Sequence, residues 1–465
     1  MTETVQPVIV GAGPAGIGAA ERLVKAGLRP IVLDEGFRAG GQIYRRPLID
    51  DGRSYRNRYG SEAKKAERLH RAFDRLVPSI DYRPETLVWN VADTDRGGHL
   101  DVLSRGIHRE IAFTHLLLAT GATDRVLPFP GWTRPGVYTL GAAQTALKAQ
   151  GCTVGEKLVF MGSGPLLYLV AWQYMKAGAS VEAVLDTGPL SSKAHLISLL
   201  PRAPRIIALG LFYGVQLKLA GVRILYGVRP EAIIGEERVD GIRFRVGDQI
   251  ETLQCNALAY GFALRAETQL ADLAGCRFRF DERDRAWLPE RDALGRTSRP
   301  QVYVAGDGSG IAGADAAELA GELAALALIE DLGKAHGGDR ARQLIAAHGR
   351  ILRQRDILEK AFPFPRDWFE TVPGTTMLCR CEEISISEAR LAIETENISE
   401  VNRLKALSRV GMGRCQGRMC SAAAAEFLSG VRKVEPEAVG RLRAQAPVKP
   451  IPLTFGVTGE GEARS

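Results

Sequence analysis

Residues 8–35 read VIVGAGPAGIGAAERLVKAGLRPIVLDE, and the spacing inside this stretch decides the fold. Val8–Val10 is a short apolar, β-branched run. The turn GAGPAG follows, then a segment with Ile17, Ala20, Leu23 and Val24 at helical spacing. Gly27 stops the helix. Ile31–Leu33 is a second strand, and Asp34 ends it. Strand, glycine turn, helix and strand with a terminal acid is a dinucleotide fingerprint in its proper context. Gly11 permits the tight turn, Gly13 lets backbone approach a pyrophosphate, and Gly16 lets helix and strand pack closely. The phosphates are expected at the helix N-terminus, where free N–H groups and the helix dipole favour an anion. Asp34 lies 23 residues after Gly11, placed to accept ribose hydroxyls.

The pattern returns further along. Leu158–Met161 is a strand, GSGPLLYLVAWQYMKAG follows, and a strand over 181–185 ends at Asp186. Gly162 and Gly164 repeat Gly11 and Gly13, but Leu167 stands where the third glycine belongs. A branched side chain there should push the helix off the strand and crowd the pyrophosphate path. This half is expected to be a retained structural repeat rather than a working NAD(P) site. Two other stretches point back to the first turn. His115–Gly121 (HLLLATG) and Val302–Asp307 (VYVAGD) each read as a buried strand running into a small-residue turn, where ligands of parallel sheets bind.

The whole chain has 465 residues, 45% apolar and 25% charged, with 51 glycines and a net charge of +7. That is the composition of a soluble globular protein of two to four domains; it excludes a disordered chain, a coiled coil and a disulfide scaffold. The basic residues are scattered, apart from a cluster between Arg56 and Arg71 that reads as a solvated helix face. No nucleic-acid module accompanies it, so no nucleic acid is expected as partner. Residues 1–7 do not read as a targeting segment, so none is expected. The most apolar run, Ile206–Leu217, is too short to span a bilayer and reads as a buried helix or a partner surface. The expectation is a cytoplasmic chain, at most peripheral at the inner face of the cell membrane.

Of seven cysteines, Cys152, Cys255 and Cys276 are isolated, while Cys379, Cys381, Cys415 and Cys420 are grouped. An odd count argues for a reducing compartment and against a disulfide framework. The grouped spacing is C-x-C, then 33 residues, then C-x₄-C. Four thiolates hold either a [2Fe–2S] cluster or zinc; the C-x-C leans toward iron–sulfur. Gly411, Gly413 and Gly417 let backbone N–H groups approach sulfur. Ser385 to Glu388 is a capping box that should start a helix. Residues 335–372 read as a helical connector broken by Pro363 and Pro365, and Pro447–Pro452 (PVKPIP) as an extended tail.

The order GAGPAG, Asp34, GGQ (Gly40–Gln42), ATG (Ala119–Gly121), a second GxG and VYVAGDG resembles the two-dinucleotide-binding-domain flavoproteins. The resemblance implies FAD in the first half, with Gly11, Ala12, Gly13, Pro14, Ala15 and Gly16 at the pyrophosphate and Asp34 and Glu35 at the adenosine ribose. It places Gly41, Gln42 and Asp307 along the phosphate–ribityl stretch, with Ala119, Thr120, Gly121 and Gly306 in the same set. The backbone near Val88 would meet the adenine. The family's disulfide reductases carry a close cysteine pair near the flavin; none precedes residue 379 here, so dithiol chemistry is not expected. The cysteine module is similar to the bacterioferritin-associated-ferredoxin type of [2Fe–2S] domain, with Cys379, Cys381, Cys415 and Cys420 as metal ligands.

Taken together the chain resembles one subunit of the heteromeric amine dehydrogenases of the opine-oxidase, hydrogen-cyanide-synthase and D-hydroxyproline-dehydrogenase type. The expected fold is α/β: two Rossmann-like domains, the first discontinuous (1–135 and 288–335) around the second (136–287), a helical connector (336–372), a small, mostly helical BFD-like [2Fe–2S] domain (373–432) and a tail (433–465). The implied role is electron relay from a partner flavoprotein subunit that oxidises a C–H beside an amine nitrogen. An FMN at a subunit interface, together with a small third subunit, is compatible with that resemblance. No catalytic residue is expected on this chain. Two other readings stay open: a self-contained NAD(P)H-dependent flavin reductase, in which Asp186 favours NADH, and a scaffold binding ATP or ADP in the first site.

Overall fold

The computed structural model describes residues 5–92, 97–334, 338–452 and 456–457; the last residues of the tail lie outside these. The chain divides into two compact units. One comprises residues 1–122, 265–352 and 443–465, the other 123–264 and 353–442.

The first unit is built on a five-stranded sheet in the order Val302–Val304, His115–Leu118, Pro7–Val10, Ile31–Leu33, Asp81–Arg83. Every pairing is parallel. The central strands are buried throughout, which is why they read as unbroken apolar runs. Val10 lies opposite both Leu33 and Leu118, so the chain leaves three neighbouring strand ends at one edge. The Pro14–Lys25 helix buries Ile17, Ala20 and Leu23, as their spacing in the sequence suggested, together with Ala19, while Val24 is half-buried. An antiparallel sheet over Thr86–Ala92, Gly98–Ser104 and Ile107–Phe113 joins this unit.

The second unit repeats the design. Its parallel sheet runs Arg223–Tyr226, Ser180–Asp186, Lys157–Ser163, Ala257–Phe262, Val137–Thr139. The strand carrying the second glycine turn is again central. Leu167, on the Pro165–Lys176 helix, is fully buried among Leu158, Phe160 and Val170. It is absorbed by the core of this unit.

Residues Gly338–Ala361 form the connector helix, which stops before Pro363. The cysteine-rich stretch is mostly helical: Ile386–Thr395, Val401–Ser408 and Ser421–Arg432. The capping box forms, with Ser385 and Glu388 exchanging hydrogen bonds. This stretch shares one apolar core with the second Rossmann sheet; Leu378, Ile386 and Phe427 belong with Phe129, Trp132 and Phe244. The Trp132 indole N–H donates to the Met377 carbonyl at 2.7 Å. The apolar run Ile206–Leu217 lies in the Pro204–Leu219 helix, which buries only Tyr213 and Leu217. The buried-helix reading of that run therefore fails for its outer face.

Candidate functional site

The first glycine turn is shaped by steric necessity. Gly11 has φ +107°, and a Cβ there would fall 2.3 Å from the Ala119 carbonyl oxygen. A Cβ on Gly16 would fall 1.8 Å from the Gly11 carbonyl oxygen, so the helix sits directly on the turn. Gly41, φ +64°, would place a Cβ 2.8 Å from the Gly13 Cα; two bare backbones face each other there. No side chain caps the Pro14–Lys25 helix, and Pro14 opens it. The first N–H groups of a helix lack internal acceptors, so an uncapped end behind bare backbone suits a pyrophosphate.

Asp34 closes this cradle. One carboxylate oxygen accepts the Ala12 N–H at 2.5 Å and the other the Gly36 N–H at 2.6 Å. Each oxygen keeps a further lone pair for a ribose hydroxyl. Burial pushes the carboxyl's pKa up; the two N–H donors, Arg45 and Lys449 pull it down. Glu35 is exposed and ion-paired with Lys449. Val88 is buried in the Thr86–Ala92 strand, whose first residue donates its N–H to the Asp34 carbonyl at 2.9 Å.

The remaining expected segments arrive at the same edge of the sheet. The Gln42 side-chain amide donates to the Ala122 carbonyl at 3.0 Å. Thr120 donates to the Glu267 carbonyl at 2.5 Å, which anchors the Ala119–Gly121 turn. A Cβ on Gly306 would lie 2.8 Å from the Ala15 Cβ, so this turn abuts the start of the first helix. Asp307 accepts the Ala312 and Gly313 N–H groups, both at 2.9 Å, and so shapes the loop that leads into the Ala314–Asp331 helix.

Lys449 escaped the sequence reading, which treated the PVKPIP tail only as extended. The tail returns to the first sheet: the Val448 N–H donates to the Trp89 carbonyl at 3.1 Å. Burial pushes the Lys449 ammonium down to about 8, against the attraction of Asp34. A lysine set between prolines was the one available signal.

The second glycine turn has a different end. Asp186 is fully buried. Its carboxylate accepts the Tyr168 hydroxyl at 2.7 Å and the Gly188 N–H at 2.8 Å, and pairs with Lys193 at 3.0 Å. Lys193 also donates to the Ala361 carbonyl at 3.0 Å and stands 4.0 Å from the Phe362 ring centroid. The acid that would take a ribose is thus sealed by its own unit.

The four grouped cysteines converge as two pairs. The Cys420 thiol lies 3.8 Å from Cys379, both buried, while half-buried Cys381 and Cys415 hydrogen-bond to each other. Cys379 is drawn down to about 6, first by the Cys420 thiol and then by the N–H groups of Gly411, Glu382 and Cys381; burial opposes this. The backbone around them is left-handed at Glu383, Arg409, Gly411, Gln416 and Gly417. Among the described residues no three of these sulfurs lie within 4.8 Å of one another. A tetrahedral zinc with bonds of ~2.3 Å would need all six sulfur pairs near ~3.8 Å. Two separated pairs suit a binuclear centre, one pair to each metal. Cys152, Cys255 and Cys276 lie apart from this group as free thiols.

Comparison with known proteins bears on the family and the fold. The pyridine nucleotide-disulphide oxidoreductase family matches residues 5–321. An opine oxidase subunit of Rhizobium meliloti is 39% identical over 97% of this chain and 87% of its own length. Hydrogen cyanide synthase subunit HcnB of Pseudomonas aeruginosa is 32% identical over 97% of this chain and 98% of its own. Among solved structures, L-proline dehydrogenase from P. horikoshii superposes with a TM-score of 0.73 at 20% identity, covering 97% of this chain and 78% of that one; this likeness concerns the fold. The chain belongs to the pyridine nucleotide-disulphide oxidoreductase family, whose members are flavin-dependent oxidoreductases.

Proposed function

We propose that this chain is the electron-relay subunit of a heteromeric amine or amino-acid dehydrogenase, of the opine, D-hydroxyproline/proline or glycine type. FAD would lie in the first Rossmann half and a [2Fe–2S] cluster between Cys379, Cys381, Cys415 and Cys420. Bound there, the flavin handles electron pairs and the cluster single electrons. The chain's own residues do the holding. The bare cradle from Gly11 to Gly16 would hold the pyrophosphate, Asp34 the ribose, and Gln42 and Asp307 the extended half of the ligand. Paired thiols and the backbone N–H groups at Cys379 favour the anionic cluster.

The observation that carries the proposal is the thiol quartet split into two pairs on a chain similar along its length to proteins named as oxidase and synthase subunits. C–N oxidation is assigned to a partner flavoprotein subunit, with room for an interfacial FMN and a small third subunit. The sealed Asp186 speaks against the self-contained NAD(P)H reductase. ATP or ADP would use the same cradle and Asp34 but leave the Gln42 and Asp307 segments idle. Co-expression with a candidate partner flavoprotein subunit, followed by amine-dependent dye reduction, tests the role. The complex should be active and the isolated chain inactive; amine-dependent activity of the isolated chain overturns it.

A further inference from the structure

The Pro204–Leu219 helix turns an uncharged apolar stripe to solvent. Ala208, Leu211, Val215 and Leu219 are spaced three or four residues apart and so share one face. Leu211, Val215 and Leu219 are 64, 52 and 78% exposed, and Phe212 beside them is 44% exposed. The opposite face is anchored: Tyr213 and Leu217 are buried, and the Tyr213 ring packs 5.2 Å from that of Trp172. The adjoining Leu190–Leu199 segment contributes Leu190 and Ile197, both more than half exposed. Single exposed leucines are ordinary, but a stripe of this kind marks a contact surface.

The charges around it choose the occupant. Residues 187–230 contain no aspartate or glutamate. Arg205 and Lys218 stand exposed at the two ends of the helix, and the side chain of exposed Arg202, just before it, donates to the Ser198 carbonyl at 2.9 Å. At 16 residues the helix is about 24 Å long, too short to cross the ~30 Å hydrocarbon layer. No helix among the described residues is long and apolar enough to cross a membrane. Aliphatic residues on one face, basic residues at both ends and no acid of its own between residues 187 and 230 suit a helix lying in the plane of an anionic bilayer surface.

We propose that this face docks on anionic membrane, with Leu211, Phe212, Val215 and Leu219 inserted at headgroup depth and Arg202, Arg205 and Lys218 over lipid phosphates. The test is co-sedimentation with vesicles of phosphatidylcholine alone or with about 30% phosphatidylglycerol, using both the chain and its complex with the partner subunit. Both preparations should pellet with the anionic vesicles, at least tenfold more than with neutral ones, and release as salt rises. The triple variant Leu211→Gln/Val215→Gln/Leu219→Gln should lose at least tenfold in partitioning with an unchanged circular-dichroism spectrum. Arg205→Glu/Lys218→Glu, which leaves the apolar face intact, should abolish the preference for anionic lipid. Equal binding to both vesicle types overturns the proposal. So does a complex that no longer binds although the lone chain does, which means the partner covers the stripe. So does a dimer that the triple variant dissolves, which means a second copy covers it.

Discussion

Replacing Asp34 by alanine separates the cradle from a mere packing motif. The Asp34 carboxylate holds the turn through the Ala12 and Gly36 N–H groups at 2.5 and 2.6 Å. Ala12 is fully buried, so Asp34→Ala leaves its N–H without an acceptor, at about 1–3 kcal/mol of stability. The ribose side of the carboxylate is a separate loss. A hydrogen bond to a charged acceptor contributes about 1.5–3 kcal/mol, so nucleotide affinity should fall roughly 10- to 150-fold. Isothermal titration of cofactor-stripped protein with ADP measures this, because ADP is the part common to FAD and to the ATP/ADP alternative. Urea unfolding measures the first loss independently. ADP affinity within threefold of the parent, on protein that remains folded, refutes the assignment of Asp34 to the ribose.

Cys415→Ser removes one member of the half-buried pair; the broad visible absorption of the centre should disappear while flavin or nucleotide content is kept, and survival of metal and spectrum would show the ligand set to be wrong. Lys193→Met leaves the fully buried Asp186 carboxylate without its cation; unfolding should become easier by about 3 kcal/mol, whereas a ribose acid designed to be open would show no such cost. Millimolar NADH mixed anaerobically with the oxidised protein should leave the flavin band unbleached, and rapid bleaching contradicts a sealed second half. Burial holds His70 and His348 neutral, each with its pKa lowered to about 4. The unfolded chain, titrating near 6.5, binds more protons between pH ~6.5 and ~4. Stability from each histidine is therefore complete above pH ~6.5 and falls through that window, by on the order of 3 kcal/mol in total for each. Urea midpoints followed across it check this; for His70, a flat profile would mean the ring is not held between the Tyr44 carbonyl and the Tyr55 hydroxyl.

The first Rossmann half was legible because its glycines answer to local geometry. Where a Cβ would fall 1.8 Å from a carbonyl oxygen, as at Gly16, only one residue type serves, and its spacing is printed in the sequence. The same holds for Asp34, fixed by the end of a strand. Leu167 was legible only in part. A branched residue at the third glycine position says that something has changed, but the change lay in long-range partners: Tyr168, Lys193 and the Ala361 carbonyl around Asp186. Lys449 was invisible because its site depends on the tail returning to Trp89, far away in the chain. The apolar run at 206–217 could be seen as apolar, but which side faces solvent depends on how Tyr213 and Leu217 pack. The cysteine spacing picked out the four grouped thiols, while their division into two sulfur pairs required the fold.

The proposed electron relay requires both a dinucleotide cradle and a binuclear sulfur-ligated centre on the same polypeptide. Anaerobic purification, followed by a visible spectrum, iron, sulfide and zinc analysis, and chromatography of the acid-released nucleotide, examines both together. The expected result is about two irons and about two inorganic sulfides per chain, together with FAD. Zinc in place of iron, or protein carrying neither iron nor nucleotide, contradicts it.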